Sequence, residues 1–131
     1  MIGGDGERVT LRAVAEHADR WYAMSRPLDV LRRKVATLDD HCAVVARDPA
    51  SIVRTITFVA YLDRDGAAAR RAAGTRLDGD TVAFAGDPTA MVDHLAGLER
   101  LGFEHVQLVF PGFPGTSDME LVLERVRPEF A

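Results

Sequence analysis

The stretch MIGGDGERVTLRAVAEHADRWY, residues 1–22, places a glycine-rich turn between one apolar residue and a helical pattern. Turns of this kind usually connect a buried strand to a helix, because glycine lets the backbone bend sharply and approach its neighbours closely. Apolar residues then recur at 3.6-residue spacing and predict a helix over residues 7–18. The short aromatic segment 19–23 predicts a second strand. The stretch therefore predicts a strand, a turn over residues 2–6, a helix and a further strand.

The rest of the chain continues this alternation. Pro27 suits the first turn of a second helix, which ends before Arg47. The run SIVRTITFVAYL, residues 51–62, is rich in β-branched and aromatic residues and predicts a strand that is buried on both faces. The next predicted elements are a helix over 65–74 and a short strand or extended arm over 81–85. A further helix runs from Pro88 to a stop at Gly102, with Asp87 as its N-cap. The last elements are a strand over 105–110 and a helix over 118–126, for which Ser117 and Glu120 form a capping box.

An order in which strands alternate with helices predicts an α/β fold with a parallel sheet and right-handed crossovers. Two architectures of this class fit a chain of 131 residues. One is a small doubly wound sheet. The other is half of a (β/α)8 barrel, because a complete barrel takes about 250 residues.

The composition narrows the class of protein. The chain is 47% hydrophobic, which suffices for one domain over residues 1–131 with its own core. Its 16 basic and 20 acidic residues are interspersed and give a net charge of −4, so we expect no nucleic-acid or membrane partner. The single cysteine, Cys42, fits a reducing compartment, and no apolar run approaches the roughly 18 residues of a bilayer span. We therefore expect a soluble cytoplasmic protein.

Four segments together resemble the C-terminal half of the luciferase-like monooxygenase family, especially its branch dependent on the deazaflavin coenzyme F420. They cover nearly the whole chain, in the order in which the family has them. The segments are IGGDGERVTLRAVAEHADRW (2–21), KVATLDDHCAVVARDPASIVRT (34–55), AGDPTAMVDHLAGLERLGFEHVQLVF (85–110) and RPEF (127–130).

The resemblance implies roughly the last four β/α units of a (β/α)8 barrel, with a cofactor at the carboxyl ends of the strands. It implies coenzyme F420, or alternatively FMN, and an oxidoreductase or monooxygenase acting on a small organic substrate by hydride transfer or oxygenation. The cofactor-binding residues that it implies are Gly3, Gly4, Asp5 and Gly6, whose turn would seat the phosphate-bearing side chain. A carboxylate at Asp5 departs from the family pattern, and we expect Arg8 to compensate its charge. No residue is assigned as a catalytic acid, base or nucleophile.

In the family, an apolar strand and the whole first half of the barrel precede the glycine turn. We therefore expect this chain to be a truncated fragment that needs a second half for activity. A half barrel would have open edges and an apolar inner face, so we expect either a homodimer or a separately encoded N-terminal half as partner. The alternatives are a non-catalytic binding module derived from the family and a small nucleotide-binding α/β domain.

Other motifs favour structural roles. The histidines have no metal-ligand spacing, so we expect no metal site. His41 and Cys42 are adjacent on a helix and point in different directions, and Cys42 lies on the apolar stripe. The sequence DRDG, residues 63–66, lacks the further ligands of a calcium loop and predicts a turn. Pleating sends only one of Trp21 and Tyr22 inward. Phe113 is a candidate for lining a pocket.

Overall fold

A computed structural model describes residues 1–79 and 81–130. Within these ranges strands and helices alternate along the chain, as the sequence predicts. The strands are β1 (Ile2–Gly3), β2 (Arg20–Ala23), β3 (Val53–Leu62), β4 (Phe84–Gly86) and β5 (Phe103–Val109). The helices are α1 (Thr10–His17), α2 (Leu28–Val44), α3 (Gly66–Ala73), α4 (Pro88–Arg100) and α5 (Ser117–Leu121). Short 3-10 and π turns cover Pro49–Ser51, Gly74–Leu77, Val122–Val126 and Arg127–Phe130.

The five strands form one sheet in the order β1-β2-β3-β4, and β5 also pairs with β3. The pairs β1–β2, β2–β3 and β3–β4 are parallel, which confirms the predicted parallel α/β class. Ile2 lies opposite Trp21 and Gly3 opposite Tyr22. The short strand or arm predicted over residues 81–85 is the three-residue strand β4, which pairs with the last three residues of β3.

Aspartate side chains cap the starts of two helices, α3 and α4. The carboxylate of Asp87 accepts a hydrogen bond from the Ala90 N–H at 2.8 Å, and Gly102 has φ +82°, so the predicted cap and stop of α4 are confirmed. Asp65 caps α3 through the Ala67 N–H at 3.0 Å. The segment DRDG is thus the predicted strand-to-helix turn.

Two predicted helix starts are wrong. Helix α1 begins at Thr10 rather than residue 7, because the chain still turns over residues 7–9 and the Leu11 N–H reaches back to the Gly6 carbonyl at 2.9 Å. Helix α5 begins at Ser117, and its Glu120 carboxylate accepts a hydrogen bond from the Thr116 hydroxyl at 2.7 Å. The capping box of Ser117 with Glu120 is therefore not formed.

The described residues cluster into two compact units. The first unit comprises Met1–Thr57 and Leu98–Gln107, and the second comprises Phe58–Gly97 with residues 108–130. Strand β3 begins in the first unit and ends in the second. No helix of the described residues is long and apolar enough to cross a membrane.

The core of the first unit lies between α1, α2 and one face of the sheet. Trp21 is fully buried there, and its ring centroid lies 5.8 Å from that of Phe103. Cys42 is also fully buried, and this burial raises the pKa of its thiol. The predicted core role of Cys42 is confirmed. The other fully buried apolar residues described in this unit are Leu11, Val14, Ala15, Ala18, Ala23, Leu31, Leu38, Ile52, Ile56 and Leu98.

The guanidinium of Arg54 is a buried charged group beside this core. Its Nη2 donates to Asp39 Oδ1 of α2 at 2.8 Å, and its Nη1 donates to the Leu101 carbonyl at 2.8 Å. Arg54 lies opposite Trp21 in the β2–β3 register and therefore points to the same face of the sheet. The guanidinium thus ties α2 and the segment before β5 to the middle of the sheet.

An aromatic cluster organises the second unit. The His94 ring meets the Phe58 ring edge-on with centroids 5.2 Å apart, and the Phe84 ring lies 5.4 Å from it. Because these apolar rings exclude water, the pKa of His94 is lowered. The imidazole is therefore held neutral in the folded unit. A second cluster is formed by Tyr61, Ala69, Ala73, Val59, Leu77, Ala83 and Ala85.

We expect Arg54→Ala to lower the free energy of unfolding by about 2–3 kcal/mol, because it removes a buried guanidinium that bridges the Asp39 carboxylate and the Leu101 carbonyl. Urea unfolding followed by circular dichroism measures the change. Arg12→Ala is the matched control, since Arg12 forms an exposed pair with Glu16 on α1 and such pairs contribute little. Equal destabilisation by the two substitutions would contradict the assigned role of Arg54.

We expect the stability of the chain to fall as the pH drops from 7.5 to 5.5 through His94. The unfolded imidazole takes up a proton below its ordinary pKa of about 6.5, whereas the folded one, with its lowered pKa, does so only at a lower pH, so protonation favours unfolding. Thermal unfolding at the two pH values should show a smaller difference for His94→Phe than for the wild type. His17→Gln is the control at an exposed histidine. An unchanged pH dependence in His94→Phe would refute this expectation.

Candidate functional site

The candidate site lies where β1 and β2 end, in the first unit. The glycine turn follows β1, and Arg26 follows β2. Because the strands are parallel, their carboxyl ends share one edge of the sheet, and α/β barrels build their sites at this edge. The structure therefore brings the predicted turn residues to the expected edge.

Hydrogen bonds to β2 fix the backbone of the turn. The Gly4 N–H donates to the Tyr22 carbonyl at 3.1 Å, and the Trp21 indole N–H donates to the Gly4 carbonyl at 2.7 Å. Gly4 has φ +105°, a conformation that favours glycine. A Cβ on Gly6 would lie 3.1 Å from Thr10 Oγ1. The turn thus favours glycine at position 4 through its backbone and leaves little room for a side chain at position 6.

Asp5 forms an ion pair with Arg26. Arg26 Nε donates to Asp5 Oδ2 at 2.7 Å, and its Nη2 donates to Oδ1 at 3.3 Å. The Asp5 side chain is 12% exposed and that of Arg26 is 20% exposed, so water screens the pair weakly. The expected compensation by Arg8 is therefore wrong, since Arg26 from the next loop supplies the positive charge.

Helix α2 holds the end of the turn. The ring nitrogen Nε2 of His41 lies 2.7 Å from the Glu7 carbonyl oxygen, and Lys34 Nζ lies 3.2 Å from Glu7 Oε1. The hydrogen bond and charge of Lys34, with a smaller contribution from Arg33, lower the pKa of Glu7. His41 therefore positions the turn instead of pairing with the buried Cys42, which confirms its predicted structural role.

The face of the sheet opposite Trp21 is polar. On β2 the side chains of Arg20 and Tyr22 alternate with the buried Trp21 and Ala23, which confirms that only one of Trp21 and Tyr22 enters the core. Neighbouring strands add polar side chains to the same face, so the expected apolar inner face is wrong in the first unit. We call this surface the polar face. Its polar side chains are Arg20, Tyr22, Thr55, Thr57, His105 and Gln107.

Two rows of hydrogen bonds cross the polar face. In the first row, Arg20 Nη1 donates to Thr55 Oγ1 at 3.1 Å and to His105 Nδ1. In the second row, Gln107 Oε1 accepts from Thr57 Oγ1 at 2.8 Å and from the Tyr22 hydroxyl at 3.3 Å, and Tyr22 also contacts Thr57.

The sequence analysis did not single out these residues, except Tyr22. The alternation of side chains in RWYA (20–23), TIT (55–57) and HVQ (105–107) is the signal that could have found them.

Grooves in the second unit do not include the predicted Phe113. The larger groove has a volume of about 540 Å³, and its charges balance, with Arg64 and Arg125 against Asp87 and Glu129. Phe113 is 82% exposed and lines neither this groove nor its neighbour, so the expectation that it lines a pocket is wrong for the described grooves. Across residues 1–79 and 81–130, no three His, Cys, Asp or Glu side chains come together as metal ligands would.

Comparison with known proteins gives matches in structure alone. No protein-family model matches the chain, and no curated protein sequence matches it. An F420-dependent tetrahydromethanopterin reductase from Methanopyrus kandleri matches 98% of this chain with 50% of its own, at 18% identity and a TM-score of 0.76.

Two other solved enzymes extend the comparison. An F420-dependent secondary alcohol dehydrogenase, in complex with an F420–acetone adduct, matches 95% of this chain with 47% of its own, at 12% identity and a TM-score of 0.73. The oxygenating constituent of a type II Baeyer–Villiger monooxygenase from Pseudomonas putida, in complex with FMN, matches 97% with 47%, at 14% identity and a TM-score of 0.66.

Matches at this level of identity establish the fold. They confirm the half-barrel prediction over the doubly wound alternative, since nearly all of this chain corresponds to about half of each enzyme. The fold of this chain is that of the luciferase-like monooxygenases, and the chain spans about half the length of the solved enzymes that it matches.

Proposed function

We propose that this chain forms the phosphate-binding half of an F420-dependent oxidoreductase barrel, with FMN as the alternative cofactor. Gly3, Gly4, Asp5 and Gly6 form the turn that receives the phosphate. The observation that carries the proposal is the position of this turn, fixed by Trp21 and Tyr22 at the carboxyl edge of the sheet. Solved enzymes of the same fold are described as F420-dependent or hold FMN.

The turn suits an anion for two reasons. The backbone N–H groups that precede Leu11 in the first turn of α1 have no acceptor within the helix, and the helix directs its positive end toward the turn. The Thr10 hydroxyl lies beside Gly6 and adds a further donor. Asp5 does not oppose the anion, because Arg26 neutralises its carboxylate. In this proposal Asp5 positions Arg26, the Gly4 N–H holds the turn to the Tyr22 carbonyl, and the amides at the start of α1 face the phosphate.

A bound deazaflavin or flavin would supply the hydride or oxygen chemistry, and the residues of this chain would hold and orient it. A small organic substrate and a cytoplasmic location belong to the same proposal, and the buried thiol of Cys42 supports the location. A non-catalytic binding module is the competing function. The polar face favours it, because its side chains hydrogen-bond to one another and none is assigned as an acid or base.

Completion of the barrel by a second half, either another copy or a separate N-terminal half, is part of the proposal. Strand β1 pairs with β2 alone and leaves its other edge open. In the second unit, Met119 and Leu123 lie one helical turn apart and are 44% and 52% exposed. An apolar stripe of this kind suits packing against another helix.

We expect the chain to bind FMN saturably and to bind riboflavin at least tenfold more weakly, since riboflavin lacks the phosphate. Fluorescence titration measures both, and F420 is titrated in the same way. Gly3→Ala should weaken FMN binding at least fivefold with an unchanged melting temperature, because its Cβ meets only Tyr22, at 3.9 Å. Gly112→Ala, in open space, is the control. Equal affinity for FMN and riboflavin would refute phosphate binding at the turn.

We expect the charge of Arg26 to matter through Asp5. Arg26→Gln leaves the Asp5 carboxylate unpaired near the phosphate and should weaken FMN binding at least tenfold. Asp5→Asn combined with Arg26→Gln removes both charges and should recover most of the affinity. A titration of the two single variants and the double variant forms the cycle, with Arg12→Gln as the control. If the double variant binds no better than Arg26→Gln, Asp5 does not act on the phosphate.

A further inference from the structure

The polar face presents hydrogen-bond donors whose acceptors are missing. Arg20 has five N–H donors, and the described contacts to Thr55 and His105 both use Nη1. The carbonyl oxygen of Gln107 accepts from Thr57 and Tyr22, and its NH₂ group has no partner among the described residues. No carboxylate of the described residues lies within ion-pair distance of Arg20. The polar face therefore has a surplus of donors and one uncompensated positive charge.

The ring nitrogen and the amide oxygen that can accept on this face are already in use. Thr55 Oγ1 and His105 Nδ1 accept from Arg20, and Gln107 Oε1 accepts twice. His105 can accept from a guanidinium only as the neutral imidazole with its proton on Nε2, so it offers a further donor outward. Any surface that covers this face must consequently bring acceptors. An arginine that loses its water without gaining a carboxylate would strongly oppose association.

A second copy of the chain would not supply the acceptors that Arg20 and Gln107 lack. Two identical halves that close a barrel about a twofold axis place each row of side chains against the same row of the other copy. Arg20 would then face Arg20, and the Gln107 amide would face another donor. Like charges brought together away from water oppose association.

We propose that the polar face docks a β/α half barrel of different sequence, whose inner side chains include carboxylates at the level of Arg20 and Gln107. This inference rests on the proposed half-barrel function and selects between its two partners. The half-length match to the solved enzymes supplies the kind of partner, and the unmatched donors supply its chemistry.

A variant of this chain can stand in for the acidic partner. Arg20→Glu places a carboxylate at the position of Arg20. In a 1:1 mixture of wild type and Arg20→Glu, the arginine of one copy would therefore face the glutamate of the other across the barrel. Sedimentation velocity with one species labelled gives the dissociation constant of each combination. We expect the mixture to associate at least tenfold more tightly than the wild type or the variant alone, and added salt to weaken it. Gln107→Glu provides a second acidic probe, should Arg20→Glu fail to fold by circular dichroism.

Arg32→Glu is the matched control, because Arg32 is exposed on α2, away from the polar face. A mixture of wild type with Arg32→Glu should associate no more tightly than the wild type alone. Wild-type self-association as tight as the mixture would overturn the proposal in favour of a second copy. Folded proteins that associate in no combination would also overturn it. Failure to bind F420 or FMN would refute the proposed cofactor function and leave this result unchanged.

Discussion

The alternation of side chains along β2 is the constraint on which the described site depends. Successive residues of a strand point to opposite faces, so Trp21 enters the core while Arg20 and Tyr22 stand on the polar face. The indole of Trp21 also holds the Gly4 carbonyl, which fixes the start of the glycine turn. A shift of the β2 register by one residue would exchange the two faces and would also break the hydrogen bond between Trp21 and Gly4. Core, turn and polar face thus share one register.

The sequence predicted the elements whose signals are local. The β-branched run of β3, the Asp87 cap and the Gly102 stop of α4 are properties of neighbouring residues, and the structure confirms them. Local signals also misled at two helix starts. Helix α1 begins at Thr10 rather than at residue 7, because residues 7–9 still belong to the turn.

The candidate site depends on contacts between distant residues, and local patterns could not supply these. Arg26 lies 21 residues from Asp5, and nothing in the spacing indicates that their loops meet. On the polar face, Tyr22 and Gln107 are 85 residues apart. The expected apolar inner face assumed that a barrel interior resembles an ordinary core. The alternation in RWYA contradicts this assumption only once the buried face of β2 is known.

Tyr22 links the polar face to the glycine turn. Its carbonyl accepts from the Gly4 N–H, while its hydroxyl belongs to the hydrogen-bonded row with Thr57 and Gln107. A partner that orders this row therefore also restrains the strand that holds the turn. Polar groups of this kind add little net stability, because their loss of water offsets most of what their hydrogen bonds contribute. Their effect is selective, since a covering surface without matching acceptors leaves donors buried and unpaired. In the proposed assembly, these side chains would thus connect the choice of partner to the shape of the cofactor turn.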